Sequence, residues 1–559
     1  MDNMTSGEAD ALSLEDRVGV AMRFVRASER GSAETVSTCI TRYPLLKELV
    51  SNPYDFSSPV HDRLRLAKQH AIELARDHAM QELGRLQEDL SELTDVQVQQ
   101  RRRRNHRLLS KLSPGKGCSS FALADEHGQI SSDPETIANT LREHWSRVFH
   151  RKPTDGNLRR NWLEEEKRCL PLDCRNHIPN APVSLKTFRK ALRLTSNSSP
   201  GPDGITYKAW RKVGEIGPKV LHEAFMALIS DNGQRLLEAD WESFNESIMV
   251  FLPKKPMGRD VDGTDFYNAA GTRPLNITNT DNRLICSAIR LSIEPLIAPG
   301  ITDAQRGFLQ GRSMLANLMD IEEAMINASS RFDSPAAVLF DFEAAFPSIS
   351  QEFLIDVLLS KGWPVWTIRI VRAIYWNNRC RISVGGTTFA GFELTAGVRQ
   401  GCPLSPLLFS VVSDILIRRI IRQVPDSLTR AYADDLAVVL QRGAASAPTL
   451  ENIFLEYESI SGLRLHHGKS VWLPLHTKPL ETVRNQLHEH AHTWGDFTIQ
   501  RHAVYLGFAI GLERGTWSWD EAFEKMVSRA QTWRGIGGGA FLYIFAYRTY
   551  IFPVASFLI

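Results

Sequence analysis

The sequence predicts an α+β fold, because patterns typical of strands and of amphipathic helices both occur along the chain. Residues 430–432 and 436–440 are two short runs of strand-forming residues on either side of an acidic pair. Ala336–Phe340 is uniformly apolar, which is typical of a strand buried on both faces. Leucines recur at helical spacing over residues 83–93 and predict a helical region before the strands. At 559 residues the chain exceeds one ordinary core, so two or more lobes are expected.

The acidic pair between the two runs consists of Asp434 and Asp435. Neighbouring side chains on a strand point to opposite faces, so the two carboxylates can share one site only where the backbone turns. The sequence therefore predicts a β-hairpin with acids at its tip. Asp341 follows Ala336–Phe340 directly and is the candidate for a third acid. Clustered carboxylates are what Mg²⁺ or Mn²⁺ prefers, and three acids on neighbouring strands suit a two-metal phosphoryl-transfer site.

Composition and charge limit the class of protein. The 66 basic and 64 acidic residues nearly balance, so any nucleic-acid surface must come from local clustering. Seven scattered cysteines indicate reduced thiols and an intracellular setting. The start of the chain is acidic and polar, unlike a secretory signal, and no stretch is apolar enough to span a bilayer. The most apolar segment, 540–559, is expected to be a packed helix that lacks its continuation.

Two local clusters are candidate binding sites. The basic run 101–107 predicts either a solvated helix end or a contact with RNA or with the import machinery, and the pattern favours neither. Cys169, Cys174 and His177 lie close together, but their spacing departs from the common zinc patterns and no fourth ligand is evident. A zinc site is therefore not expected.

An isolated aspartate pair usually caps a helix or faces solvent, and the flanking motifs decide against that interpretation. Six segments between about residues 180 and 520 resemble motifs of reverse transcriptases, in the family's order and spacing. Three resemble consecutive motifs of the palm, and the other three are most similar to polymerases of non-LTR (LINE-type) retrotransposons. The palm motifs are 341–346, 397–406 and 432–435, and the others are 200–205, 273–275 and 305–312.

The resemblance implies a right-hand polymerase, with fingers, a palm built from an antiparallel sheet and packed helices, and a partial helical thumb. Within the body, 254–272 is expected to be a fingers loop, 406–419 and 450–461 helices, and 505–508 a short strand near the primer. The implied domains are a helical N-terminal extension with the basic run (1–115), a mixed segment preceding the fingers (116–180), fingers and palm (181–510), and the start of a truncated thumb (511–559).

The implied activity is RNA-directed DNA polymerisation, in which deoxynucleotides are added to a primer 3′ end with two Mg²⁺ or Mn²⁺ ions. The implied partners are an RNA template, a DNA primer or target DNA, and deoxynucleoside triphosphates, with no membrane; the implied location is nuclear. Two alternatives stay open. A short thumb and the lack of an endonuclease favour an inactive, truncated or domesticated retroelement protein that only binds RNA. A two-metal nuclease would share the acids without needing the motif around Gln400.

The resemblance also assigns roles to the acids and their neighbours. Asp341 and Asp434 would hold both metal ions, and Asp435 would assist. The carbonyl of Phe342 would complete one coordination shell. Phe346 lies five positions after Asp341, where the family places an aromatic ring against the sugar of the incoming nucleotide, and such a ring would exclude a ribose 2′ hydroxyl. Packing in the core is the alternative for this phenylalanine.

Four polar residues complete the candidate site. Gln400 lies in a loop rich in Gly and Pro, which suits close approach to a nucleotide or template base, although an exposed amide is the alternative. By resemblance, Lys254 and Arg273 bind the triphosphate, and the alternative is a solubilising role. Lys469 would protonate the leaving pyrophosphate, or else be a plain surface lysine, since His467 stands where many relatives have Asn.

Basic and aromatic residues together predict a nucleic-acid track, because cations neutralise phosphates and flat rings stack on bases. Taken singly, each residue is better explained as surface or core. The members are Lys208, Arg211, Lys212, Arg306, Arg312, Arg369, Arg372, Arg379 and Arg381, with Tyr207, Trp210, Trp366, Tyr375 and Trp376.

Overall fold

The computed structural model of the chain divides into two compact units, residues 121–518 and residues 1–120 together with 519–559. Three features singled out in the sequence lie outside the described residues, namely the leucines of 83–93, the basic run 101–107, and the pair Cys174 and His177. Predictions about them stay predictions. The described residues are 12–29, 32–50, 122–169, 178–238, 244–259, 265–385, 387–515, 517–534, 543–544 and 546–555, with isolated positions between 53 and 81.

The unit that contains the N-terminal residues is helical where it is described. Its helices are Leu14–Glu29, Ala33–Arg42 and Leu45–Glu48, and their core includes Phe24, Val36 and Leu46. The apolar positions recur at helical spacing, so each helix buries one stripe.

Towards the other end of the chain, Trp517–Arg534 is a helix. The helix expected over 540–559 is irregular in its described part, where Tyr543, Ile544 and Ala546 are α-helical. Tyr547–Ile551 is instead a π-helical turn, and Phe552–Val554 is a 3₁₀ turn. Pro553, which has no backbone N–H to donate, lies within the 3₁₀ turn.

The unit of residues 121–518 is a mixed helical and sheet structure, and the predicted α+β class is confirmed. Among the described residues, no helix is long and apolar enough to cross a membrane. Its helices are Pro134–Val148, Gly156–Cys169, Leu185–Leu194, Tyr207–Lys212, Ile216–Ile229, Asp231–Glu238, Thr280–Ile297, Met314–Arg331, Ala345–Ser348, Gln351–Ser360, Val365–Tyr375, Ser405–Gln423, Gly443–Ser461 and Leu480–His490, with 3₁₀ turns at Ala269–Gly271, Ala298–Gly300 and His492–Asp496.

The strands of this unit form four sheets, with the orders β2-β1-β5-β4, β6-β3-β8-β9, β10-β11-β7-β12-β13 and β14-β15. The five-stranded sheet is called the central sheet below. The strands are β1 Ala122–Ala124, β2 Ile130–Ser131, β3 Ser247–Pro253, β4 Gly258–Arg259, β5 Asp265–Asn268, β6 Thr272–Thr278, β7 Ala336–Phe340, β8 Cys380–Val384, β9 Thr387–Phe389, β10 Ser427–Tyr432, β11 Asp435–Leu440, β12 Val471–Pro474, β13 Thr498–Ile499, β14 His502–Tyr505 and β15 Phe508–Gly511.

The middle strand of the central sheet, β7, is buried along its whole length. Its side chains alternate between two cores because successive residues of a strand point to opposite faces. Val338 and Phe340 belong to the large core under the helices, whereas Ala337 and Leu339 belong to the core on the other face. Both faces are covered, so the strand is uniformly apolar, as the sequence pattern predicted.

Two local predictions about this unit are wrong. Residues 254–272 are not a plain loop, because Phe266 and Tyr267 form strand β5, which pairs in parallel with β1. Residues 505–508 are not one strand, because Tyr505 ends β14, Phe508 begins β15, and Leu506 and Gly507 form the turn between them. Leu506 and Gly507 both adopt positive φ angles there, 51° and 87°, as a two-residue hairpin turn of the primed type requires. The helices expected at 406–419 and 450–461 are present and longer, at Ser405–Gln423 and Gly443–Ser461.

Candidate active site

The acidic pair lies at the tip of the hairpin formed by β10 and β11. The register pairs Tyr432 with Asp435, so Ala433 and Asp434 form a two-residue turn, and Ala433 adopts a positive φ of 61°. The predicted β-hairpin is therefore present. On the other side of β11, Leu436 pairs with Phe340. Asp341, the residue that follows β7, thus lies at the same edge of the central sheet as the pair.

The three acids influence one another electrostatically. Burial and the charge of Asp341 raise the pKa of Asp434. Enclosure of the carboxyl group and the charges of Asp434 and Asp341 raise the pKa of Asp435 to about 6. Burial and the proximity of like charges both disfavour ionisation of a carboxyl group, so the two aspartates of the turn are ionised less readily than free carboxyl groups.

Three predicted cations lie close to these acids. The charges of Arg273 and Lys254 oppose the rise in the pKa of Asp434. Partial desolvation by the surrounding protein, and after it the neighbouring charges of Lys469 and Arg273, lower the pKa of Lys254. The carboxylates of Asp341 and Asp434 act on Lys254 in the opposite direction. The structure thus brings together residues that come from four separate parts of the sequence.

Lys254 and Arg273 are held by the sheet that contains β3 and β6. Leu252 of β3 is paired with Arg273 of β6, and the N–H of Lys254 continues the ladder by donating to the carbonyl of Gly271 at 2.9 Å. Both cationic side chains are exposed. The Nζ atom of Lys254 donates to the carbonyl of Ala270 at 3.3 Å, and further donors remain for an anion.

The segment that carries Lys469 also fixes the backbone of Asp341. His466 N–H donates to the Asp341 carbonyl at 2.8 Å, and Asp341 N–H donates to the Oγ of buried Ser470 at 3.2 Å. Phe342 forms an antiparallel bridge to Leu465. Sequence reasoning missed His466 and Ser470, because a serine or histidine near a lysine carries no local signal of a contact with a distant strand end.

Phe346 follows Asp341 by five residues and is mostly buried, with 9% of its surface exposed. Its ring stacks on Phe409 at a centroid distance of 4.6 Å and an angle of 10°, and meets Phe308 edge-on at 6.1 Å. Phe308 is 41% exposed and has a positive φ of 61°, which is uncommon for a bulky residue. These contacts fit the predicted packing role, and contact with a sugar stays a prediction.

The loop that carries Gln400 is held against Phe346 and β6. Val398 N–H donates to the Phe346 carbonyl, and Asn276 N–H donates to the Gln400 carbonyl, both at 2.8 Å. Gly401 has a φ of 109°, and a Cβ added to it would lie 2.6 Å from the carbonyl oxygen of Asn276. Only glycine fits at this position. The Gln400 side chain is half-buried.

Arg399, which sequence reasoning did not single out, anchors the same loop through its buried side chain. It is only 1% exposed and lies over the Tyr375 ring at 5.5 Å. Its Nη atoms are 3.4 Å from Asn245 Oδ1 and 3.3 Å from Asn282 Oδ1. A buried guanidinium needs such partners because isolated burial of a charge is costly.

The donor chemistry of the acids fits a divalent cation, since carboxylate oxygens are the preferred ligands of Mg²⁺ and Mn²⁺. The raised pKa values of Asp434 and Asp435 point in the same direction, because burial and, after it, the neighbouring carboxylate charges disfavour ionisation, and a bound cation would favour the ionised forms. As placed, however, no three Asp, Glu, His or Cys side chains among the described residues converge on one point as a metal site. The backbone brings the acids to one edge without closing their carboxylates around a common centre.

Residues 252–510 match the family described as reverse transcriptase (RNA-dependent DNA polymerase). The chain is 28% identical over 335 residues to the transposon TX1 uncharacterized 149 kDa protein of Xenopus laevis, which covers 57% of this chain and 24% of that protein. It is 26% identical over 332 residues to the retrovirus-related Pol polyprotein from type-2 retrotransposable element R2DM of Drosophila melanogaster. This alignment covers 57% of the chain and 30% of that protein. Residues 252–510 form a reverse transcriptase domain. The recognition made from the motifs is thereby confirmed.

A third relative is the retrovirus-related Pol polyprotein from type-1 retrotransposable element R2 of Nasonia vitripennis, 27% identical over 232 residues that cover 41% of this chain and 21% of that protein. The alignments span less than a third of each of these three relatives. The matched reverse transcriptase domain runs from β3 to β15 and includes every residue proposed for the active site. Reverse transcriptases generally depend on divalent metal ions.

Four members of the expected nucleic-acid track have structural roles in the folded chain. Tyr207, Trp366 and Tyr375 are buried in the core, because their rings fill space between helices, and they are not available to stack on bases. Arg312 directs its guanidinium to four backbone carbonyls, among them those of Thr302 and Ile301. These residues are corrected to packing roles.

Proposed function

We propose that this chain is an RNA-directed DNA polymerase that extends a DNA primer on an RNA template with deoxynucleoside triphosphates. The observation that carries the proposal is the meeting of Asp341, Asp434 and Asp435 with Lys254 and Arg273 at one edge of the central sheet, within a domain that matches the reverse transcriptase family. Acids that bind cations and cations that bind phosphates are the two groups that nucleotide transfer needs.

In this proposal, Asp341 and Asp434 hold two Mg²⁺ or Mn²⁺ ions, with help from Asp435 and the Phe342 carbonyl. When bound, such ions promote attack by the primer 3′ hydroxyl and neutralise charge on the phosphates. The chain's own acids need no shifted pKa for this role, because they act as ligands in the ionised form. A mechanism with two ions rests on the family likeness and on the number of acids.

The polar residues around the acids take the remaining tasks. Lys254 and Arg273 bind the triphosphate, Arg273 with its planar fork. Lys469 gives a proton to the departing pyrophosphate. Gln400 contacts the nucleotide or the template base, and the Phe346 ring excludes a ribose 2′ hydroxyl. Since the target DNA of such a polymerase is chromosomal, we also propose a nuclear location, which imaging of the tagged chain would test.

The decisive experiment is primer extension on poly(rA) with an oligo(dT) primer, dTTP and Mg²⁺ or Mn²⁺. The parent chain is compared with Asp434→Ala/Asp435→Ala. Asp426→Ala is the matched control, because Asp426 is an exposed acid just before the far end of the same hairpin. We expect extension by the parent and the control only. Extension by none of them, in folded samples that bind the primer–template, would replace the polymerase by the RNA-binding alternative.

A further inference from the structure

Gln305 is a fully buried residue, with 0% of its surface exposed, beside the turn that carries Asp434. Its segment runs along the end of β10 and forms a parallel bridge to Ala431. Ala431 N–H donates to the Ala304 carbonyl at 2.7 Å, and Arg306 N–H donates to the Ala431 carbonyl at 2.8 Å. The backbone thereby fixes the position from which the glutamine side chain extends towards the turn.

The side-chain amide of Gln305 uses its full hydrogen-bonding capacity. Its Oε1 accepts from Ala433 N–H at 2.9 Å and from Gly307 N–H at 2.8 Å. Its Nε2 donates to the Ala433 carbonyl and to Ser413 Oγ, both at 3.1 Å. An amide offers two acceptor lone pairs and two N–H donors, so all four are used. Both backbone groups of Ala433 are bound by this one side chain.

Ala433 is the residue that needs such support. It precedes Asp434 directly, and its φ of 61° lies in the left-handed region that a residue with a Cβ rarely adopts. The segment 304–307 fits closely against Ala433, because a Cβ added to Gly307 would lie 2.1 Å from the Ala433 nitrogen. No side chain can be placed there, so glycine is required and the two backbones are in contact.

We propose that Gln305 is a positioning residue that holds the Ala433 peptide in its left-handed conformation and so fixes the Asp434 carboxylate for metal binding. The inference rests on the proposed function. Gln305 itself touches neither metal nor substrate. No other residue type supplies both an acceptor for the Ala433 N–H and a donor for its carbonyl at this length, since Asn is one methylene shorter and Glu lacks the donor.

The test compares Gln305→Met, which keeps the length and loses all four hydrogen bonds, with Gln305→Glu, which keeps the acceptor alone. Mn²⁺ binding to the full chain, followed by electron paramagnetic resonance, needs no catalysis. Binding is expected to weaken at least about tenfold in Gln305→Met, which corresponds to about 1.4 kcal/mol, and by an intermediate factor in Gln305→Glu. The Mg²⁺ concentration for half-maximal primer extension should rise most in Gln305→Met and less in Gln305→Glu. The affinity for the primer–template should stay unchanged in both variants.

Ser413→Ala is the matched control, because it removes one partner of the amide and leaves both bonds to Ala433; its Mn²⁺ binding is expected to stay within about twofold of the parent. Parental Mn²⁺ binding in Gln305→Met, with only a lower melting temperature, would overturn the inference and leave Gln305 as a packing residue. If Gln305→Met does not fold, parental binding in Gln305→Glu overturns it equally. Mn²⁺ binding that Asp434→Ala abolishes, without any primer extension by the parent, would refute the polymerase activity while the Gln305 comparison still stands.

Discussion

Replacement of Phe346 by valine tests the proposed selection against ribonucleotides. The ring is 9% exposed and stacks at 4.6 Å on Phe409, so its removal opens space of several carbon atoms beside the sugar. In a close-fitting pocket, each methylene-sized change is worth about 1–3 kcal/mol, or about 10–200-fold in selectivity. We therefore expect the preference for dTTP over UTP to fall by about 10–200-fold in Phe346→Val. Loss of the stack and of buried area should also cost about 2–4 kcal/mol of stability.

The assay is the ratio of kcat/KM for dTTP and for UTP in single-nucleotide additions to oligo(dT) on poly(rA). Urea unfolding of the same samples gives the stability. Phe409→Val is the matched control, because it breaks the same stack and leaves the Phe346 ring in place; it should lose similar stability and keep most of the selectivity. A Phe346→Val chain that incorporates dTTP normally and still rejects UTP as well as the parent would refute the reasoning and make Phe346 a core residue.

Three further predictions follow from the site and its surroundings. Lys254→Ala should raise the KM for dTTP roughly tenfold, measured in steady-state extension with the exposed neighbour variant Lys255→Ala as control. In EDTA, the free energy of unfolding should fall as pH rises from about 4 to 6. Asp435, with its pKa raised to about 6, keeps a proton in the folded state that the unfolded chain releases near pH 4. In Mg²⁺, urea unfolding should show no such fall, and the same dependence of the free energy of unfolding on pH with and without Mg²⁺ would contradict metal binding. Glu166→Ala should cost about 3 kcal/mol in urea unfolding, because Arg419, 4% exposed, loses its most buried partner; a loss below about 1 kcal/mol would show that the other acids suffice.

The hairpin and the strand before Asp341 could be predicted from the sequence because their signals are local. Strand-forming residues on both sides of two aspartates leave only a turn to bring both acids to one site. A uniformly apolar run of five residues indicates a strand covered on both faces, as β7 is. The approach of Lys254, Arg273 and Lys469 to the acids came from the family resemblance, since nothing in their own sequence neighbourhoods shows it.

Other features could not be predicted, because the contacts that decide them are distant in sequence. The bond from Gln305 to the Ala433 carbonyl joins residues 128 positions apart, and neither neighbourhood carries a sign of the other. The error at 505–508 has a different cause. Tyr505, Leu506 and Phe508 have the composition of a strand, and the tight turn depends on backbone angles of Leu506 and Gly507 that composition does not report.

The position of β7 in the central sheet has a consequence for biosynthesis. Its two neighbours, β11 and β12, follow it by roughly a hundred or more residues, and a ribosome adds about 5–20 residues per second. For roughly 5 s or longer, the strand that ends at Asp341 leaves the ribosome without either partner, and its apolar edges are available to chaperones or to other nascent chains. Pairings between such distant segments form slowly. The three acids therefore become neighbours only after most of the 252–510 domain has been translated, and a nascent chain that ends before residue 470 has no Ser470 to hold Asp341.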